Sequence, residues 1–275
     1  MITKKIWMYW HQGWEHAPGL VLQCKDSWQH LNPDYEVYAL DRDSIADYAD
    51  LSKCLDLNRE DLTLQKLAAL NRLVLLKNHG GVWVDATALC AQPLSQWIEN
   101  YYQSRFFAFR DPGKDRLMSN WMIAAEPESL ILQKLHAEFL AFYTDNVFSN
   151  QNTPVGKLAL RLLRRRWQSS LPKTTRWHSW FARKVLRVYP YFIFHYTFNK
   201  VILENPECAQ LWNQGASLSA QPAHRVQRLA READGIENAK REIDSGLVPV
   251  HKLDWRADPS DTYWSIILPY LDKQL

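Results

Sequence analysis

A 275-residue chain that is 47% hydrophobic and 23% charged can bury a sizeable core as one large domain or two small ones, which excludes a disordered protein. Its net charge of +3 does not by itself declare a polyanionic partner, and the lack of an uncharged apolar window of about 18 residues predicts no membrane-spanning helix. Four cysteines, Cys24, Cys54, Cys90 and Cys208, show neither zinc-like nor disulfide-like spacing, so they read as reduced thiols of a cytosolic protein.

The opening MITKKIWMYWHQGW has an apolar stretch too short and too polar for a signal peptide or an anchor. Within it, KIWMYW reads as a buried strand, followed by a helix from Ala17 to Leu31 entered through Pro18. YEVYAL is a second strand, closing on Asp41. From Leu62 to Lys77 the apolar positions Leu64, Leu67, Leu70, Val74 and Leu75 recur at helical spacing, and Asn78, His79 and the Gly80-Gly81 pair end that helix. VWV is the next strand, RFFAFR and WMIAAE are further strands, and Glu128 to Tyr143 is helical again. Strands alternating with helices predict an α/β domain whose ligands sit outside the carboxyl ends of the strands. His11 and Gln12, Asp41 and Asp85 all fall at such ends. An ordinary loop exit explains any one of them, but their coincidence favours a shared polar rim.

From Asn146 to Leu203 there is no acidic residue, while eleven Lys and Arg residues leave the rest of the chain at −8. This block, interleaved with Trp167, Trp177, Trp180 and Phe181, suits a surface facing anionic headgroups; a solvated helical face is the plainer alternative. A nucleic-acid reading rests on this block alone, and no nucleic acid is expected as a partner. The chain's 13 Trp, 12 Tyr and 10 Phe serve a core, an interface or a carbohydrate site equally well.

Four stretches together carry a resemblance: KIWMYWHQGWEHAPGLVLQCKDSWQHLNPDYEVYALD, LAALNRLVLLKNHGGVWVDATALCAQPL, SNWMIAAEPESLILQKL and VPVHKLDW. They resemble the capsular polysaccharide synthesis family, which is similar to glycosyltransferases carrying a DXD sugar-binding motif. The resemblance implies a GT-A-type nucleotide-sugar-binding fold: a Rossmann-like central sheet flanked by helices, with a mostly helical, basic C-terminal part. It implies a single glycosyltransferase domain over 1–275. Residues 1–145 would form the nucleotide-sugar core, 146–240 a segment facing acceptor or membrane, and 241–275 a return to the active site.

In that family Asp85 matches the first acid of the motif, but Ala86 and Thr87 complete it here, so the site has one carboxylate fewer for a divalent cation, manganese or magnesium. Metal dependence therefore stays open. Asp85, Thr87 and His251 are the implied metal ligands, and Lys252 would meet the leaving diphosphate. Arg72, thirteen residues before Asp85, would bind a phosphate or a strand-end acid. Ala69 stands where relatives often have an Asp, so base specificity does not carry over. Trp10, His11 and Gln12 would hold the nucleoside, and Ser119 and Asn120 the donor sugar. Tyr191 and His195 would line an acceptor groove, although a lone His in an aromatic run is more often a hydrogen-bonded core residue.

The resulting expectation is a cytoplasmic glycosyltransferase, peripheral on the inner face of the membrane. It would move a sugar from a nucleotide-sugar donor to a surface-polysaccharide or lipid-linked acceptor, with retention at the anomeric carbon. Catalysis would fall to Asp85, Lys252 and Arg72. The alternative is a non-catalytic carbohydrate-binding protein of a polysaccharide-synthesis system.

Overall fold

The apolar runs pair into a sheet in a computed structural model that describes residues 1–232, 234–254 and 262–272. Strands β1 (Lys5–Tyr9), β2 (Glu36–Leu40) and β3 (Gly81–Val84) are parallel neighbours, with β1 in the middle. A short β4 (Ala88–Cys90) leaves this sheet, and the hairpin of β5 (Phe106–Gly113) and β6 (Arg116–Ala125) completes it in the order β2-β1-β3-β6-β5. β6 runs antiparallel to both β3 and β5. The sheet is thus mixed: three parallel strands extended by an antiparallel hairpin. β6 also begins earlier than WMIAAE, because the tight Gly113–Arg116 connection lets pairing start at once. β7 (Val250–Lys252) pairs antiparallel with β4 as a separate ribbon.

Both faces of the sheet are buried, as the period of two requires. Trp7, Trp83 and Ile123 face one core beneath α2 (Leu64–His79), reached after α1 (Gly19–Leu31), and beneath α3 (Leu130–Thr144). Ile6, Met8, Val82 and Val84 face the other, where Trp28 of α1 donates from Nε1 to the Ala88 carbonyl at 2.7 Å. Helices then dominate: α4 (Pro154–Trp167), α5 (Leu171–Thr174), α6 (Ile193–Glu204), α7 (Pro206–Asn213), α8 (Ala220–Ala223), α9 (Arg225–Leu229), α10 (Gly235–Asp244) and α11 (Thr262–Asp272). α6 packs on α3 and on β6, closing the Trp83 side.

The basic block divides by burial. Trp167 and Trp177 pack edge to face in the core, with ring centroids 4.7 Å apart, so they do not belong to a surface. Trp180, Phe181 and Val185 are exposed, as are Val155, Leu158 and Leu162, which share one face of α4. None of the described helices is long and apolar enough to cross a membrane, and all four cysteines are free.

The junction between α2 and β3 needs its glycines. Gly81 has φ +97°, and a Cβ there would lie 2.5 Å from the Lys5 carbonyl oxygen, a backbone atom that cannot step aside. Gly81→Ala should cost about 2 kcal/mol or more in urea unfolding, whereas Gly19→Ala, where a Cβ meets nothing, should cost little. Desolvation pushes His178, against Phe142, down to about 3 and His251 down to about 4. The unfolded chain takes up protons near the ordinary value of about 6.5, and the folded chain does not until lower pH. Stability should therefore fall as pH drops from about 6.5 towards 4. Thermal melts across that range test this, and His251→Leu should make the decline shallower.

Candidate active site

Alternation along β3 fixes the position of the first acid. Trp83 faces α2, so Asp85, two residues on, projects to the same side just past the strand end. There Arg72 of α2 donates from Nη2 to Asp85 Oδ1 at 2.9 Å, and Trp83 Nε1 donates to the same oxygen at 3.2 Å. Arg72 is only 4% exposed. Its guanidinium lies between the rings of Trp83 and Phe194, 4.9 and 5.4 Å from their centroids. Burial lowers its pKa and Asp85 opposes that shift. Asp85 itself is 30% exposed, which leaves Oδ2 for the cavity side. Its amide donates to the Trp121 carbonyl at 2.7 Å, anchoring the turn to β6.

Asp85 borders two hollows. An outer groove of about 570 Å³ is lined by Trp10, His11, Gln12, Asp85, Thr87 and Lys252, among others. An inner cavity of about 250 Å³ is lined by Lys66, Arg116, Ser119, Asn120, Tyr191 and His195 and again by Asp85 and Lys252. The antiparallel course of β6 explains this meeting: its first half reaches the rim where the parallel strands end, so Ser119 and Asn120 arrive beside Asp85. The volumes suit a nucleotide-sized ligand outside and a single ring inside.

Most of the sequence-nominated residues therefore converge, with two exceptions. His251 is 2% exposed and lines neither hollow. On β7 it alternates with Lys252, and because Lys252 faces the groove, His251 turns with its ladder partner Leu89 to the opposite face. His251, nominated as a metal ligand, is thus placed away from both hollows. Arg72, nominated as a donor contact, lines neither hollow either; it stands behind Asp85 and pairs with it. Thr87 is in place, but its hydroxyl accepts a hydrogen bond from Lys252 Nζ. The Leu253 amide donates to the Thr87 carbonyl at 2.8 Å, locking β7 beside the Asp85 turn. Trp255, part of the C-terminal resemblance, lies outside the described residues. Among the described residues no group of three or more His, Cys, Asp or Glu could hold a metal.

Several site residues were missed in the sequence. Asp254 lines the groove directly after Leu253, within the HKLDW stretch, and was legible there as a strand-end acid. His224 borders both hollows between Trp121 and Gln227, and burial pushes it down to about 4. Lys66 and Arg116 carried no motif; only the folded arrangement reveals them.

A family profile described as capsular polysaccharide synthesis protein matches residues 1–152. The chain is 30% identical over 142 residues to O-glycosyltransferase braB of Annulohypoxylon truncatum, covering 45% of this chain and 34% of that protein. It is 25% identical over 160 residues to O-glycosyltransferase PaGT of Phomopsis amygdali, covering 52% and 39%. It thus spans well under half the length of these curated relatives. Among solved structures, the glycosyltransferase domain of the YGT toxin matches with a TM-score of 0.42 at 10% identity, covering 88% of this chain and 89% of that one. PaToxG Glycosyltransferase matches with a TM-score of 0.36 at 15% identity, covering 91% and 88%. Because the family profile spans more than half of its 275 residues, the chain belongs to the capsular polysaccharide synthesis protein family.

Proposed function

We propose that this chain is a glycosyltransferase of the GT-A type that takes a sugar from a nucleotide-sugar donor and passes it to a glycan or lipid-linked acceptor. The observation that carries this reading is the position of Asp85, held by Arg72 and Trp83 at the junction of a nucleotide-sized groove and a ring-sized cavity. The curated relatives named O-glycosyltransferase support it. The nucleoside would lie along Trp10, His11 and Gln12, the diphosphate between Asp85 and Lys252, and the sugar towards Ser119 and Asn120. Tyr191 and His195 would face the acceptor side of the same cavity.

The chemistry asked of the residues is electrostatic. As the bond between the anomeric carbon and the phosphate oxygen breaks, its electron pair passes to the diphosphate, and the Lys252 ammonium stabilises that growing charge. The acceptor oxygen bonds to the anomeric carbon and its proton passes to the departing phosphate oxygen. Attack on the face that the diphosphate leaves retains the configuration and needs no enzymic nucleophile. A divalent cation, when bound, would neutralise part of the diphosphate charge. One carboxylate together with substrate phosphates commonly holds magnesium, and Asp85 fits that part, whereas Thr87, engaged by Lys252, and His251, turned away, do not.

Nucleotide release from a panel of UDP-, GDP-, CMP- and dTDP-sugars, with a membrane extract as acceptor, tests the reading. Release from one donor should fall about a hundredfold or more in Asp85→Asn and in Lys252→Met, the scale of losing one transition-state contact. EDTA should lower release in the wild type and add little in Asp85→Asn. Release from no donor, with no donor binding by calorimetry, would return the chain to the carbohydrate-binding alternative.

The location follows from the same proposal. Exposed Val155, Leu158 and Leu162 beside Arg161 and Arg165, with Trp180 at 68% exposure, support peripheral contact with an anionic membrane surface on the cytoplasmic side. Co-sedimentation with phosphatidylglycerol vesicles should exceed that with phosphatidylcholine vesicles, weaken with salt, and drop in the Leu158→Glu, Leu162→Glu double variant. Equal sedimentation of wild type and variant would remove the membrane part alone.

A further inference from the structure

The inner cavity holds more positive charge than its surroundings balance. Lys66, on α2, is 6% exposed. Its Nζ donates to the Tyr191 carbonyl and lies 5.1 and 5.7 Å from the ring centroids of Tyr191 and Tyr189. No carboxylate among the described residues pairs with it: Asp85 is engaged by Arg72, and Ala69, one turn on along the same face, offers no acid. A buried ammonium with a carbonyl and two ring contacts but no carboxylate for partner is costly, and burial next to Arg72 brings its pKa down to about 8.

Arg116 enters the cavity from β6, stacked 3.9 Å from the Phe192 ring centroid and paired with Asp115, whose other oxygen accepts from Tyr196. Two further polar atoms complete the wall. Ser119 Oγ and His195 Nδ1, on residues 2% and 8% exposed, have no hydrogen-bond partner among the described residues, and both residues line the cavity. Unpartnered buried polar atoms beside an uncompensated cation describe a site shaped for a ligand that brings both hydroxyls and negative charge.

We infer that the inner cavity is a monosaccharide subsite that selects a sugar bearing a carboxylate, with Lys66 as the residue that sets this specificity, Arg116 assisting, and Ser119 and His195 meeting the ring hydroxyls. The inference rests on the transferase reading for the reaction, and on the cavity alone for the binding. The carboxylate belongs either to the transferred sugar or to the acceptor's terminal sugar, because the cavity adjoins both the diphosphate position and the Tyr191 rim.

Two measurements separate these possibilities. The first follows nucleotide release from matched UDP- and GDP-linked hexose and hexuronate pairs, each with neutral or carboxylated oligosaccharide acceptors. The second follows binding of free glucuronate, galacturonate, glucose and galactose by NMR line broadening. The carboxylated member should be favoured roughly a hundredfold in kcat/KM, as for a desolvated charge pair. That ratio should collapse in Lys66→Met, which keeps the side chain's bulk, and in Ala69→Asp, which supplies an internal counter-ion. Preference on the donor side assigns the subsite to the transferred sugar, and preference on the acceptor side assigns it to the acceptor. Turnover of neutral sugars with a ratio unmoved in both variants overturns the inference and leaves the transferase intact. Uronate binding without any release keeps the subsite and removes the transferase, and neither binding nor release removes both.

Discussion

The site is organised by one buried ion pair. Arg72 has left water almost completely, and a guanidinium so placed is tolerable only with a carboxylate in contact and its faces covered. Trp83 and Phe194 cover it, and Asp85 supplies the charge. The consequence runs outward: β3 must end in register with α2, and the Gly80-Gly81 junction must let the chain turn tightly enough to achieve this. α6 must then bring Phe194, and with it His195, down onto the same spot. Asp85 is thereby held with one oxygen spent and one available.

A second constraint is topological. Parallel strands deliver their carboxyl ends to one rim, which gathers His11, Gln12 and Asp85. The antiparallel β6 contributes the beginning of a strand to that rim instead, so Ser119 and Asn120 reach it from the other direction. The β4–β7 ribbon adds Lys252 from 165 residues away, tied to Thr87. Connections of different length thus converge, bringing together short stretches such as Trp10–Gln12, Asp85–Thr87, Ser119–Asn120 and Lys252–Asp254 that are far apart in the chain.

Legibility from sequence follows the range of the physics involved. Strand and helix positions were readable because period two and period 3.6 are local signals, and the Gly-Gly pair marked the α2–β3 junction within two residues. Asp85 and its partner Arg72 were legible as a spacing within one helix–strand unit. What failed was orientation on the short β7: HKLDW offers a His and a Lys, and only the ladder with β4 decides that Lys252 faces the groove and His251 the interior. The basic block misled for a related reason, since Trp167 and Trp177 look alike to Trp180 in sequence while packing places the first two in the core. Lys66 was invisible because a lysine on an amphipathic helix ordinarily lies at the surface, and its burial depends on α6 closing over it.

On the proposed reading, Arg72 and Asp85 act as one unit that presents a carboxylate to the donor. A double-mutant cycle with Arg72→Met and Asp85→Asn, read on both unfolding free energy and donor affinity, tests that unit directly. Asp85→Asn should be strongly destabilised, by about 3–5 kcal/mol, because it strands the buried Arg72 guanidinium, Arg72→Met should cost less because the Asp85 it strands is 30% exposed, and the double variant should cost less than the sum, with donor binding lost in all three. Additive effects, or an Arg72→Met protein that binds donor as well as the wild type, would contradict the claim.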